Sequence, residues 1–437
     1  TAVLGGFNPD FLELPRDVLI GTMKKHQRYF PITPAPSPAG RGESSEARRG
    51  EGLLPYFIAI RNGDSEHLDI VRQGNEHVLG ARFADANFFV REDVKFPLEH
   101  YRDGLKTLTF QTKLGSMYDK AERMLKLAEK IAEMLGLDDA QRSIVQRSTF
   151  LAKADLTTQM VTEMTSLQGI IGREYALRSN EKAEVALAIG EQYQPVPHSK
   201  IGLVVALSDR IDSLVGLFAA GLAPTGTKDP FGLRRAAIGT VQPLIEHNLD
   251  FDLRAAVEAS AALQPIPVSD EVKVQLLDFL TGRMRVLLTE TGLRYDVVEA
   301  VLAAQSHNPA ASTKAVQELM DWVKRPNWMP TLDGYARCVR IIRSTKDDRP
   351  STMDDSKLVE PAERALYAAI SSVVHRPSSV DEFLKAVETL LPAITEFFDK
   401  VLVMDKDEAI RQNRLALVGQ VSDLSAGIAD LSKLEGF

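Results

Sequence analysis

The sequence predicts a mainly α-helical, multidomain protein that opens with a small α+β region, and three observations carry that reading. The chain has 437 residues, too many for one hydrophobic core and enough for about three domains. From Asn75 onward apolar residues recur largely every three or four positions, the spacing of helices with one buried face. Short runs rich in β-branched and aromatic residues are confined to the first 95 positions.

The sequence divides into an α+β region over 1–95, a helical domain over 96–247, linker and body helices over 248–350, and a C-terminal helical bundle over 351–437. In the first region Asp17-Val18-Leu19-Ile20 and residues 53–60 (LLPYFIAI) read as β runs. The second closes on Arg61-Asn62-Gly63-Asp64, where Asn-Gly is a strong turn signal. Residues 33–52 crowd Pro, Gly, Ser and charge and bury too little apolar surface to offset ordering, so a flexible surface insertion is expected there.

Farther on, Ala121, Met124, Leu125, Ala128, Ile131, Ala132 and Leu135 define one helical stripe, and Gly136 is placed to stop it. Similar periodicity marks 201–218, 234–247 and 272–288. A breaker-rich zone covers 307–330, and 344–355 is the best linker candidate. Leu358, Ala362, Leu366, Ala369, Ile370 and Val373 form one stripe, and Val380, Phe383, Leu384, Val387 and Leu391 another. Ser379 with Glu382 has capping-box spacing, and Pro392 should kink or restart that helix. No repeat recurs at a fixed period.

Composition narrows the function. The formal charge of -8 argues against coating nucleic acid by bulk attraction but leaves room for a local basic face. No apolar run nears the roughly 20 residues of a membrane-spanning helix and no secretory signal opens the sequence, so an aqueous intracellular setting is expected. The single cysteine, Cys338, excludes an internal disulfide framework and a multi-cysteine zinc site.

Residues 221–235 (GLAPTGTKDPFGLRR) carry glycines at phosphate-loop spacing, but Thr227 precedes Lys228, the reverse of the order a phosphate loop needs. Neither a nucleophile elbow nor a dinucleotide fingerprint is present. The eight histidines are scattered without metal spacing. Asp155, Asp209 and Asp212 could serve a metal phosphohydrolase of the histidine-aspartate class, the alternative reading, yet Ala154 stands where that motif needs His. Buried partners of nearby bases are the plainer reading of those aspartates.

Basic residues gather at Lys24, Lys25 and Arg28 beside Tyr29 and Phe30, and at Lys324, Arg325, Arg337, Arg340 and Arg343. The last three, spaced by three, share a helix face that can grip phosphates or merely be solvated. Arg411, Asn413 and Arg414 offer planar groups suited to phosphates and unstacked base edges.

A resemblance sharpens these alternatives. Residues 14–19 (LPRDVL), 26–31 (HQRYFP), 60–64 (IRNGD), 74–79 (GNEHVL) and 81–89 (ARFADANFF) match, in order, runs of the beta subunit of bacterial-type glycyl-tRNA synthetase. So do 113–116 (KLGS), 153–156 (KADL), 167–172 (LQGIIG), 397–401 (FFDKV), 411–417 (RQNRLAL) and the 224–235 segment. Nearly the whole chain is similar to the later two thirds of that subunit, so an N-terminal part is expected to lie outside it.

The resemblance implies an editing-domain-like (B3/4-like) N-terminal region, a helical HD-like domain, body helices and a C-terminal anticodon-binding bundle. It implies tRNA-Gly as ligand, with Arg337, Arg340, Arg343, Arg411, Asn413 and Arg414 as tRNA-binding candidates. It places the chemistry, with its ATP and Mg, in an alpha subunit or fused alpha domain, leaving no catalytic residue, metal or bound cofactor in this chain. The holoenzyme would be an oligomer off the membrane, cytoplasmic, or organellar in a plant. A purely structural helical scaffold is the third possibility.

Overall fold

A computed structural model describes residues 1–34, 52–345, 353–373 and 375–437. The insertion expected over 33–52 and the linker expected over 344–355 fall mostly outside the described residues. Two compact units emerge: Thr1–Ala223 with Ala256–Ser269, and Pro224–Ala255 with Asp270–Phe437.

The first unit opens with β1 (Ala2–Gly6), α1 (Arg16–Gly21), β2 (Phe30–Pro31) and β3 (Tyr56–Ile60). The strands form an antiparallel sheet in the order β1-β3-β2. Val3, Phe57 and Ala59 face the core, whereas Leu4, Tyr56 and Ile60 on the other face are exposed, as strand alternation requires. The β run expected at Asp17–Ile20 is instead helical. Pro15 sets the helix start, and Val18 and Leu19, adjacent in sequence, are both fully buried, which a one-sided strand does not allow.

The 26-residue α2 (Leu68–Asp93) packs on β1 and buries Leu79, Phe83, Ala86 and Val90. Its last residue, Asp93, accepts bonds from the Gln159 and Met160 amides and the Tyr175 hydroxyl, capping a short helix downstream. A small hairpin of β4 (Thr109–Gln111) and β5 (Gly115–Ser116) leads into α3 (Met117–Met134). Ser116 and Asp119 form a full capping box at its start, and Gly136 adopts φ +65° just past its end, the stop expected from sequence.

There follow α4 (Asp139–Leu151), α5 (Gln159–Glu163), α6 (Ile170–Arg178), α7 (Ala183–Glu191) and α8 (Lys200–Ala219). Helices α3, α4 and α8 pack mutually, with α7 on α4 and α8 and α6 on α7. The segment around Asp155 is not one continuous helix: α4 ends at Leu151, and residues 154–157 form a tight 3-10 turn before α5.

In the second unit, α9 (Leu233–Glu246) is followed by α10 (Leu253–Ala261), whose residues belong partly to each unit. Then come α11 (Asp270–Glu290), α12 (Tyr295–Gln305), α13 (Pro309–Val323) and α14 (Trp328–Ser344). The zone 307–330, rich in breakers, is thus mostly helix. Asn308 caps α13 with Pro309 at its first position, and Pro330 sits in the first turn of α14, where no internal N–H bond is due.

The chain ends with α15 (Pro361–Ser371), α16 (Val380–Lys400) and α17 (Glu408–Ser422). Helix α16 runs unbroken through Pro392. Its cap is half the expected box: the Ser379 hydroxyl accepts from the Glu382 amide, but the Glu382 carboxylate accepts from Ser378. Helices α14 to α17 form a bundle around Tyr335, Phe383 and Phe397, with α13 resting on α16. The Tyr335 hydroxyl, buried in that core, donates to Ser425 at 2.7 Å.

Candidate nucleic-acid interface

Helix α14 has two unlike faces. Leu332, Tyr335, Ala336, Cys338, Val339 and Ile342 are buried, while Arg337, Arg340 and Arg343 stand out on the exposed side as their spacing predicts. Each arginine has light anchorage. Arg337 lies over the Phe398 ring at 4.9 Å and 3.8 Å from Asp399, and Arg340 lies over Phe437 at 5.5 Å. Arg343 donates to Asp430 at 2.9 Å, and its side chain remains 51% exposed. Such contacts orient a guanidinium at small cost and leave most of its five donors open to a ligand.

Phe398 and Phe437 were not singled out from sequence, although Phe398 belongs to a run that carries the resemblance. Lys324 and Arg325 lie apart from this face, at the end of α13, where Arg325 stacks on Trp322 at 3.5 Å.

The second predicted group divides. Arg411 is partly exposed, bonded to the Asp405 carbonyl at 3.4 Å and 3.8 Å from Glu408. Asn413 and Arg414 are buried. Asn413 donates to the Asp354 carbonyl at 3.0 Å and accepts from its amide at 2.8 Å. Arg414 pairs with Glu363, itself 1% exposed, and donates to Asp405 and the Leu402 carbonyl at 2.7 and 2.9 Å. As folded, these two residues tie α17 to its neighbours, with their polar groups bonded inside the protein. Sequence could not separate them from Arg411, because a polar residue inside a helix signals a buried staple or a ligand contact equally well.

The three aspartates form no metal centre. Asp212 is held by Arg123 at 2.7 Å, Lys120 at 3.1 Å and Gln264 at 3.1 Å. Asp209 is 2.7 Å from Lys153 and 3.0 Å from Lys120. Burial pushes the Asp209 carboxyl up, but the two ammonium groups outweigh it and hold the group well below the usual carboxylate range. Asp155 turns away to accept the Gly169 amide, and its other oxygen has no partner. Burial, only partly offset by backbone donors and Lys153, raises its carboxyl to about 6.

Among the described residues no group of three or more His, Cys, Asp or Glu could hold a metal ion. The metal-phosphohydrolase alternative therefore gives way: Ala154 supplies no ligand, and Lys120, Arg123 and Lys153 occupy the Asp209 and Asp212 carboxylates. Lys120 and Arg123, not singled out from sequence, were detectable as charges flanking Ala121 and Met124 on the buried stripe of α3.

No helix among the described residues is long and apolar enough to cross a membrane. The helical bundle that carries these arginines falls largely within residues 331–431, which the family model "DALR anticodon binding domain" matches. The model "Glycyl-tRNA synthetase beta subunit" matches residues 1–303. The chain belongs to the glycyl-tRNA synthetase beta subunit family.

Individual relatives agree. The glycine–tRNA ligase beta subunit of Clostridioides difficile is 39% identical over 453 residues, spanning 99% of this chain and 62% of that protein. That of Desulforudis audaxviator is 39% identical over 450 residues, spanning 99% and 63%. A chloroplastic/mitochondrial glycine–tRNA ligase of Arabidopsis thaliana is 36% identical over 444 residues, spanning 100% and 40%. The chain thus spans less than two thirds of the length of these relatives.

Proposed function

We propose that this chain is the tRNA-recognition part of a glycine–tRNA ligase, holding tRNA-Gly while an alpha subunit or fused alpha domain attaches glycine with ATP and Mg. The observation that carries this reading is the exposed arginine face of α14, which lies within the segment matched as an anticodon-binding domain. Unpaired anticodon bases offer phosphates and open edges, which planar guanidinium groups engage by paired hydrogen bonds and stacking. In a chain of net charge -8, such a face gives local rather than indiscriminate attraction. The chain itself binds no cofactor in this reading, works within an oligomeric holoenzyme, and resides in the cytoplasm or an organelle that makes protein.

Fluorescence anisotropy with labelled tRNA-Gly and a non-cognate tRNA, at several salt concentrations, tests it. Tighter binding to tRNA-Gly that weakens with salt is expected. No RNA affinity, or equal affinity for both tRNAs, would overturn the reading.

A further inference from the structure

The segment that imitates a phosphate loop is built as something else. Gly226 and Gly232 hold φ values of +51° and +65°, where a side chain would be strained. The Thr225 and Lys228 backbones bond reciprocally at 3.2 and 2.9 Å, closing a tight turn. The Asp229 carboxylate accepts the Leu233 and Arg234 amides at 2.8 and 2.9 Å, so the N-terminus of α9 already holds an anion. The Arg234 guanidinium, near Asp229, donates back to the Gly226 carbonyl and locks the turn to the helix. A phosphate cannot take the place that the resemblance to a phosphate loop suggests, because a carboxylate is there.

What this segment presents to solvent is an aromatic with a cation before it and a cation after it in the chain. Phe231 is 43% exposed, and Lys228 and Arg235 are exposed on either side of it in sequence. Among the described residues neither cation is held by a carboxylate, whereas Asp229, the sole acid of the segment, is neutralised by Arg234. An exposed ring with unspent cations in an otherwise acidic chain suits a strand of unpaired nucleotides, whose bases stack and whose phosphates need countercharge. Rigidity adds to this, since a loop ordered before binding loses little entropy on contact.

We propose that residues 224–235 form a second RNA contact, in which Phe231 stacks on an unpaired base while Lys228 and Arg235 hold the adjoining phosphates. The proposal rests on the RNA-binding reading above and adds to it a site on a different element.

The test replaces Phe231→Trp and follows the emission of the introduced indole during titration with tRNA-Gly, beside anisotropy of labelled tRNA. The native Trp322 and Trp328 are 1% and 5% exposed, so an exposed indole is distinguishable by its red-shifted emission. Expected are quenching that saturates together with the anisotropy change, roughly tenfold weaker binding for Phe231→Ala, and a salt dependence shallower by about one phosphate for Lys228→Ala. Binding with unchanged emission and unchanged Phe231→Ala affinity would overturn the loop's role and leave the RNA reading standing. Emission unmoved by RNA but shifted by added alpha subunit would overturn it in favour of a protein-facing loop. Absence of any wild-type RNA binding would overturn both readings.

Discussion

Cations in the helical part of the first unit and on α14 of the second are the same residue types in opposite environments. Lys120, Arg123 and Lys153 are each less than 10% exposed and lie within about 3 Å of Asp209 or Asp212. Arg337, Arg340 and Arg343 are exposed, with only one or two aromatic or acidic neighbours apiece. A buried cation must be matched by charge and hydrogen bonds or it destabilises the fold, whereas an exposed one keeps its donors for a ligand. Burial and partner count, rather than residue type, separate cations spent on the fold from cations whose donors stay open. Arg414, predicted among the second kind, sits with the first.

The strongest way to break this contrast is Arg414→Ala. It strands Glu363 in the interior and should cost about 3–5 kcal/mol, read as a lowered urea midpoint, with little change in RNA affinity of the protein that stays folded. A variant as stable as the wild type that binds RNA poorly would return Arg414 to the ligand-facing group.

Proton linkage sharpens the contrast inside the first unit. Asp155 titrates near 6 when folded and near 3.9 when unfolded, so its contribution is fully present below the unfolded value and is lost as pH rises through about 6. The uncharged Asp155→Asn variant should therefore gain on the wild type between pH 4 and pH 7, by about 2 kcal/mol. Asp209, with a lowered folded value, has the opposite sign: its pairing stabilises above the unfolded value and is lost as pH falls through the folded one. Urea titrations at several pH values check both, and a pH-independent gap between wild type and Asp155→Asn would refute the first.

Smaller effects belong to the exposed face. Arg340→Ala and Arg343→Ala should each weaken tRNA-Gly binding several-fold and reduce the salt slope by about one, with stability changed by less than about 0.5 kcal/mol. If either variant melts early instead, the exposed arginines have a folding role like the buried cations.

Much of this organisation was legible beforehand. The stripe from Ala121 to Leu135, the stop at Gly136 and the threefold spacing of the α14 arginines follow from helix geometry alone. Val18 and Leu19 misled because an apolar run as short as Val18-Leu19-Ile20 fits strand or helix equally, and the decision lay with Pro15. The prolines of 307–330 read as breaks because a proline marks an interior fault and a helix start with the same letter. Partners were the least legible. Nothing local in the sequence says that Glu363 waits for Arg414, 51 positions away, or that Lys153 turns to Asp209.

Cys338 is the chain's one cysteine. It lies wholly inside the bundle, where burial lifts its thiol to about 12, so at neutral pH it offers almost no thiolate to an alkylating reagent. The wild-type protein should therefore label far more slowly with maleimide dyes than a variant carrying a surface cysteine, which makes such a cysteine a selective handle. Spectroscopic rulers can thus be attached without first removing a native thiol.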